Sequence, residues 1–75
     1  MTTRPEIQEK EAELNNLLED KDTDYLVCVL FTYGANKPHA VKFDHAGNML
    51  EEMSRKMSKD TMYVWVNAFI MGLNA

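Results

Sequence analysis

The chain has very little of the residues that build disulfide frameworks and phosphate-binding loops. It contains one cysteine, two prolines and three glycines among 75 residues. Cys28 has no partner for an internal disulfide, and a single cysteine within an apolar run is typical of a buried free thiol. The glycines Gly34, Gly47 and Gly72 are far apart, so the sequence has no glycine-rich loop that would cradle a phosphate.

Long hydrophobic runs are also missing. No apolar run reaches the roughly 18 residues that are needed to cross a bilayer. The first residues, MTTRPEIQEKEAEL, lack the apolar stretch and small-residue cleavage site of a secretory signal. We therefore expect a cytoplasmic protein with no membrane partner. A chain of this length is expected to form one small domain over 1–75, with a core that gives only modest net stability.

Acidic residues are concentrated at the start of the chain. The formal net charge is −4, from 12 acidic and 8 basic side chains. Residues 1–24 carry eight of the acids and three of the bases, whereas the remainder is mildly basic. Such a run usually forms a solvated helix face that keeps a protein soluble, but it can also form a charged interaction surface.

The first segment has the signals of a helix over about residues 4–20. Thr3 and Glu6 have the spacing of a capping box, which begins a helix. The apolar positions at helical spacing are Ile7, Leu14, Leu17 and Leu18. Lys10 and Glu11 occupy the positions at which this spacing would place the next apolar residues after Ile7. We therefore predict a helix whose second half is anchored better than its first.

The strongest strand signal is the run YLVCVLFTY at 25–33, which is rich in β-branched and aromatic residues. Both of its faces are apolar, so it is predicted to be a strand that is covered on two sides. A hairpin loop is expected at 34–37, where Gly34 and Asn36 suit positive φ. A shorter strand at about 38–43 alternates between apolar and polar residues, which is typical of burial on one face.

The last part of the chain is ambiguous. Asp44 is expected to cap a second helix at about 45–58. That helix would carry an apolar stripe of Ala46, Met49, Leu50, Met53 and Met57. Residues 61–73 combine helical spacing with strand-forming residues. We favour a strand at about 61–68 and keep a helix as the alternative.

These elements predict a small α+β fold with the element order α-β-β-α-β. A strand, a helix and a strand in succession form a right-handed crossover, so the third strand would run parallel to the second. A three-stranded sheet of order 2-1-3 would place the doubly apolar first strand in the middle. If 61–73 is helical, the alternative is α-β-β-α-α with a two-stranded hairpin.

Catalytic and metal-binding patterns are weak. The candidate ligands His39, Asp44, His45 and Cys28 show none of the close spacings that metal sites use, such as CxxC or HxxxH. Cys28 lies in the most apolar strand, where burial raises a thiol pKa and makes the thiol inert. We predict that the protein is not an enzyme and that it has no catalytic residues, no metal and no cofactor.

The surface composition favours a binding protein. The candidate partner-binding face consists of the helical acids Glu6, Glu9, Glu13, Glu19 and Asp20. The C-terminal segment is crowded with apolar residues of the kind that are enriched in interface cores. Its candidate self-association residues are Tyr63, Trp65, Phe69 and Met71. We predict a dimeric accessory or inhibitor protein that occupies a basic surface of a protein partner, of the kind that binds nucleic acid.

Two other interpretations stay open. A nucleic-acid-binding regulator would use the basic residues Lys37, Lys42, Arg55, Lys56 and Lys59. The isoelectric point of about 5.0 and the acidic first helix make nucleic acid the less favoured partner. The apolar C-terminal residues also fit an ordinary core, or a purely structural homo-oligomer with no other partner.

Overall fold

A computed structural model of the protein describes residues 1–31 and 37–75. Its elements are α1 (Arg4–Asp20), β1 (Leu26–Leu30), β2 (His39–Phe43), β3 (Met49–Glu52) and α2 (Lys59–Leu73). The fold is α+β, with two helices and a three-stranded antiparallel sheet. Most of the predicted hairpin loop lies outside the described residues. Within the described ranges, neither helix has the length and hydropathy required to cross a membrane.

Helix α1 begins at the predicted capping box. The Glu6 N–H donates to the Thr3 hydroxyl, and the Thr3 N–H donates to a Glu6 carboxylate oxygen at 3.1 Å. Ile7, Leu14 and Leu18 form its buried stripe. One face of α1 is therefore fixed in the core, and the opposite face lies in solvent.

The predicted second helix at about 45–58 does not form, and part of that segment is β3. The Asp44 carboxylate accepts hydrogen bonds from the backbone N–H groups of Ala46 and Asn48, at 3.0 and 2.8 Å. Gly47 has a φ of 89°, a left-handed conformation that is strained for other residues. Asp44 therefore closes a tight turn between β2 and β3 instead of capping a helix.

The charged residues of this segment pair across the sheet. On a helix at 45–58, Glu51 and Glu52 would stand four residues before Arg55 and Lys56 and could pair with them. In the structure Glu51 lies 3.8 Å from the Lys42 ammonium, and the Glu52 carboxylate lies 3.0 Å from His39 Nδ1. The methionines at 49, 53 and 57 have helical spacing, but the turn at Gly47 directs the chain back along β2.

The strand favoured at about 61–68 is wrong, and the alternative of a helix over 61–73 is confirmed, because these residues are part of α2. Ser58 caps this helix by accepting a hydrogen bond from the Thr61 N–H at 3.2 Å. Met62, Val66 and Ile70 are buried at a spacing of four residues. They belong to the same core cluster as the buried stripe of α1. This packing between helices outweighs the strand preference of the β-branched and aromatic residues.

The sheet order is β1-β2-β3, not the predicted 2-1-3. Because the third strand is β3 and runs antiparallel to β2, the predicted parallel strand and its crossover are wrong. The complete element order is α-β-β-β-α, which also differs from the alternative α-β-β-α-α. Among the strands that the structure describes, β1 therefore lies at an edge of the sheet and pairs on one side only.

The core lies between the helices and one face of the sheet. Val27, Val29 and Ala40 contribute to it from β1 and β2. The alternate residues of β1 point to the other face, where Cys28 is opposite Val41. The helices thus cover one face of β1, whereas both faces of this strand were predicted to be covered.

Candidate functional site

Asn15 of α1 replaces a neighbouring strand at the free edge of β1. Its amide nitrogen donates to the Val27 carbonyl, and its amide oxygen accepts from the Val27 N–H, both at 2.9 Å. Exposed strand edges are sites of unwanted pairing, and covering an edge with a helix removes that hazard. The side chain of Asn15 therefore occupies the groups that a second strand would use.

Glu11 extends this contact one turn earlier along α1. Its carboxylate accepts a hydrogen bond from the Val29 N–H at 2.5 Å. Val27 and Val29 are both buried, so unpaired backbone groups at these positions would be costly. We call the contact of Glu11 and Asn15 with Val27 and Val29 the edge lock.

The environment of Glu11 changes two pKa values. Burial raises the pKa of Glu11, and the hydrogen bond from Val29 partly opposes this effect. Burial also raises the pKa of the Cys28 thiol, and the negative charge of Glu11 adds to the increase. Cys28 is therefore held as a neutral thiol, which is the opposite of what a catalytic nucleophile requires.

The other edge of the sheet is protected differently. β3 has four residues and an irregular register opposite Lys42 and Phe43. It also carries Glu51 and Glu52. Short strands, bulges and charged side chains are common ways to prevent pairing at an edge. The edge lock and these features together disfavour strand addition by a partner.

Most of the predicted acidic face is assembled on the outer side of α1. At about 100° per residue, four of the five acids fall within an arc of about 60°, opposite the buried stripe. These four are exposed, and they are Glu6, Glu9, Glu13 and Asp20. We call them the acidic arc. Glu19 is exposed as well, but it lies about 80° from the nearest member of the arc.

Three cations lie over aromatic rings, and one of them also pairs with a member of the acidic arc. Cation–π contacts of this kind attract a positive charge to the ring face. The three pairs are Arg4 with Phe31 at 4.4 Å, Lys10 with Tyr63 at 5.8 Å, and Lys42 with Tyr25 at 4.4 Å. Lys10 also approaches Glu13, at 3.2 Å. The negative charge of the arc is thus only partly offset within α1.

The predicted self-association residues occupy different sides of α2. Tyr63, Trp65 and Phe69 are partly buried against the core, and the rings of Trp65 and Phe69 are 5.5 Å apart. Met71 is 64% exposed. The sequence analysis did not select Val64, which is 65% exposed on the same outer side. Val64 follows Met62 by two residues, which on a helix places it on nearly the opposite side. If Met62 faces the core, this spacing indicates that Val64 is exposed.

Four of the five predicted basic residues lie near one end of the sheet. The Met57 N–H donates to the Pro38 carbonyl at 3.0 Å, which brings the segment after β3 beside the start of β2. Lys37, Arg55, Lys56 and Lys59 flank these two positions. Lys42 is separate from them, because it lies beside Tyr25 and Glu51.

The candidate metal ligands are not brought together. His39 contacts Glu52, whereas His45 Nε2 lies 3.0 Å from the Thr23 carbonyl oxygen. Asp44 is used in its turn, where hydrogen bonds led by the Asn48 N–H lower its pKa. Across residues 1–31 and 37–75, no group of three histidine, cysteine or acidic side chains is arranged to hold a metal ion.

Sequence reasoning did not identify the edge lock. The available signal was polar residues at α1 positions close to the buried stripe, namely Glu11 and Asn15. Glu11 interrupts the apolar spacing, and a carboxylate or amide there can bond to an adjacent strand. No known protein family matches the chain, and no significantly similar curated protein or solved structure was found. Its function is therefore inferred from the surfaces described above.

Replacing Asn15 should weaken the fold. Asn15→Ala leaves the Val27 N–H and carbonyl without their partner, and we expect the free energy of unfolding to fall by about 2 kcal/mol. Asn16→Ala, at the exposed neighbouring position, should change it by less than about 0.5 kcal/mol. Urea denaturation followed by circular dichroism measures both. Equal effects of the two substitutions would contradict the edge lock.

Replacing Glu11 should change how stability depends on pH. Because its pKa is raised in the folded state, wild type gains stability as pH falls through that pKa towards the ordinary value of 4.5. Glu11→Gln can still accept from Val29 but carries no charge. We expect the variant to be more stable than wild type at about pH 7, with the difference shrinking below the ordinary pKa. Denaturation at both pH values tests this, and a pH-independent difference would contradict it.

Proposed function

We propose that the protein is a non-enzymatic, acidic protein-binding module that uses α1 to occupy a basic surface of a partner macromolecule. An accessory or inhibitor protein of this kind acts by covering a surface and has no reaction to perform. The observation that carries the proposal is the acidic arc, four exposed acids on the side of α1 that faces away from its buried stripe.

The arc is carried by a helix that is well fixed. The buried stripe and the edge lock hold α1 against the sheet at several points along its length. Acids on such a helix keep their relative positions before a partner binds, which lowers the entropy lost on association. Their charge also attracts a basic partner over a distance, so we expect fast association that weakens with salt.

The spacing of the acids favours a basic protein surface with few cations. Glu6 and Asp20 are separated by about 21 Å along the helix axis, and this length holds four charges of the arc. Double-stranded DNA carries about twelve phosphate charges over the same length. The arc is therefore a sparse substitute for nucleic acid, suited to a partner groove whose basic residues are widely spaced.

Charge reversal within the arc should abolish partner capture. We expect Glu9→Lys with Glu13→Lys to lose the partners that wild type retains from a cell lysate, and to bind immobilised polylysine at least about tenfold more weakly. Two attractions become repulsions, each worth about 0.5–1 kcal/mol at an exposed site. Glu6 is left unchanged because it caps α1.

Glu19→Lys with Asp24→Lys is the matched control. It makes the same change in net charge at exposed positions outside the arc. This variant should retain the lysate partners, with a smaller effect on polylysine binding. Circular dichroism should show both variants folded. Equal capture by all three proteins would contradict the proposal, and equal loss in both variants would show that only total charge matters.

A second candidate function is nucleic-acid binding at a basic surface. The observation in its favour is the grouping of Lys37, Arg55, Lys56 and Lys59 near one end of the sheet. Lys42 takes no part in this patch. The acid-rich α1 would repel a long nucleic acid, so such binding would be confined to the basic end.

Salt dependence distinguishes this second candidate. If all four basic residues contact phosphates, affinity for labelled DNA should fall with a log–log salt slope of about −3 to −4, and for single strands slightly less. Arg55→Ala should reduce the slope by about 1, whereas Lys21→Ala, at the end of α1, should not change it. Absence of binding at low salt to both DNA and RNA would remove this candidate.

A further inference from the structure

The sequence of β1 reads the same in both directions. The strand consists of Leu26, Val27, Cys28, Val29 and Leu30. If two copies of this strand pair antiparallel about Cys28, every residue lies opposite an identical residue, leucine on leucine and valine on valine. None of the residues from 25 to 31 is charged, so this register brings no like charges together. The strand is therefore complementary to itself, as a two-fold interface requires.

The edge lock occupies the backbone groups that this pairing would use. The side chains of α1 bond to the N–H and carbonyl of Val27 and to the N–H of Val29. In the register about Cys28, Val27 lies opposite Val29 of the second copy, and two such residues exchange both of their backbone hydrogen bonds. The amide of Asn15 makes an equivalent pair of bonds to Val27. The lock and a second β1 strand therefore compete for the same groups.

We propose that the edge lock is an autoinhibitory contact, and that its opening lets β1 pair antiparallel with β1 of a second copy. The side chains of Asn15 and Glu11 can leave the edge by rotation about their own bonds. The register places Asn15 level with Glu11 of the second copy, because these residues bond to Val27 and Val29. The released amide can then donate to the released carboxylate, so neither group is left without a partner.

The paired form is expected to stop at a dimer. Each copy contributes three strands, so the two β1 edges join into one sheet of six strands. The outer edges of that sheet are the two copies of β3, which are short, irregular and acidic. The acidic arc lies on the side of α1 that is turned away from the β1 edge, so pairing does not bring two arcs together.

Cys28 reports on this pairing, because its two copies face each other across the two-fold axis. They form a pair without mutual hydrogen bonds, in which the Cα atoms are about 4.5 Å apart. A disulfide spans about 4.4–6.8 Å between Cα atoms. Diamide, which takes two electrons and two protons from a pair of thiols, should therefore cross-link the paired form. Asn15→Ala favours the open lock and should cross-link at least about tenfold faster than wild type, as measured on non-reducing gels.

Val66→Ala is the matched control for general loss of stability. Val66 is fully buried on α2, and its truncation weakens the core without changing the edge lock. Its rate of cross-linking should stay close to that of wild type. Alkylation of Cys28 by iodoacetamide in each variant corrects for differences in the exposure and pKa of the thiol. Circular dichroism shows whether each variant is folded.

Moving the thiol tests the register. Leu30→Cys with Cys28→Ser places the thiol two residues further along the same face of β1. In the proposed register its two copies are four residues apart along the strand, about 13 Å, which is too far for a disulfide. This variant should therefore lose the cross-link, both with Asn15→Ala and with Asn15 intact over a longer reaction. The comparison with Asn15 intact does not depend on how well Asn15→Ala folds.

Three results would overturn the proposal. The first is equal cross-linking from positions 28 and 30, which would indicate random collision of thiols. The second is an equal rate in Asn15→Ala and Val66→Ala, which would assign the reaction to unfolded chains. The third is absence of the cross-link in folded Asn15→Ala.

Discussion

The side chains of Glu11 and Asn15 on the edge of β1 are the contact on which the rest of the structure depends. They align α1 with the strand by hydrogen bonds to backbone groups, which fixes its position along the strand as well as its distance from it. That alignment places the apolar stripe of α1 in the core and the acidic arc in solvent. It also leaves α2 to cover the remaining core, since α1 lies between the sheet edge and the second helix. A helix held only by apolar contacts would specify these positions less sharply.

The parts of the fold that could be predicted from the sequence are those with local signals that agree. Thr3 and Glu6 define the start of α1, and the run at 38–43 identifies the position of β2. The burial on one face that its alternation predicts is wrong, because His39, Ala40 and Val41 are all buried. The helix expected at 45–58 is wrong, and the helix at 61–73 was only the second choice, because in both segments the local signals conflict with long-range ones. Asp44 suits a helix cap and a turn equally, and only Gly47 and the pairing of β3 with β2 decide between them. In α2 the residues prefer strands, but burial of Met62, Val66 and Ile70 against α1 favours the helix.

The candidate surfaces also divide into those that local sequence signals predict and those that depend on long-range contacts. Helical spacing alone is enough to place Glu9 and Glu13 together, because both lie on one well-defined helix. The placement of basic residues at one end of the sheet depends on the hydrogen bond between Met57 and Pro38, which no local pattern indicates. No described atom lies within 4 Å of a Cβ added to Gly72, and this can be recognised only when the packing of α2 is known. Sequence reasoning thus identified residue types with interaction chemistry, whereas the structure showed which of them share a surface.

The sequence separations of these contacts have a consequence for the order of folding. The edge-lock bonds join residues 12 and 18 positions apart, whereas the bond from the Thr2 N–H to Asp60 closes a separation of 58. Closing the longer loop costs about 1.4 kcal/mol more in chain entropy than closing the shortest of these. α1 and β1 are therefore expected to dock early as a local unit, and α2 to dock later. Until it does, the apolar side of α2 and the part of the α1 stripe that contacts α2 are exposed. We expect the acidic charge of the early unit to oppose aggregation of such partly folded chains with one another.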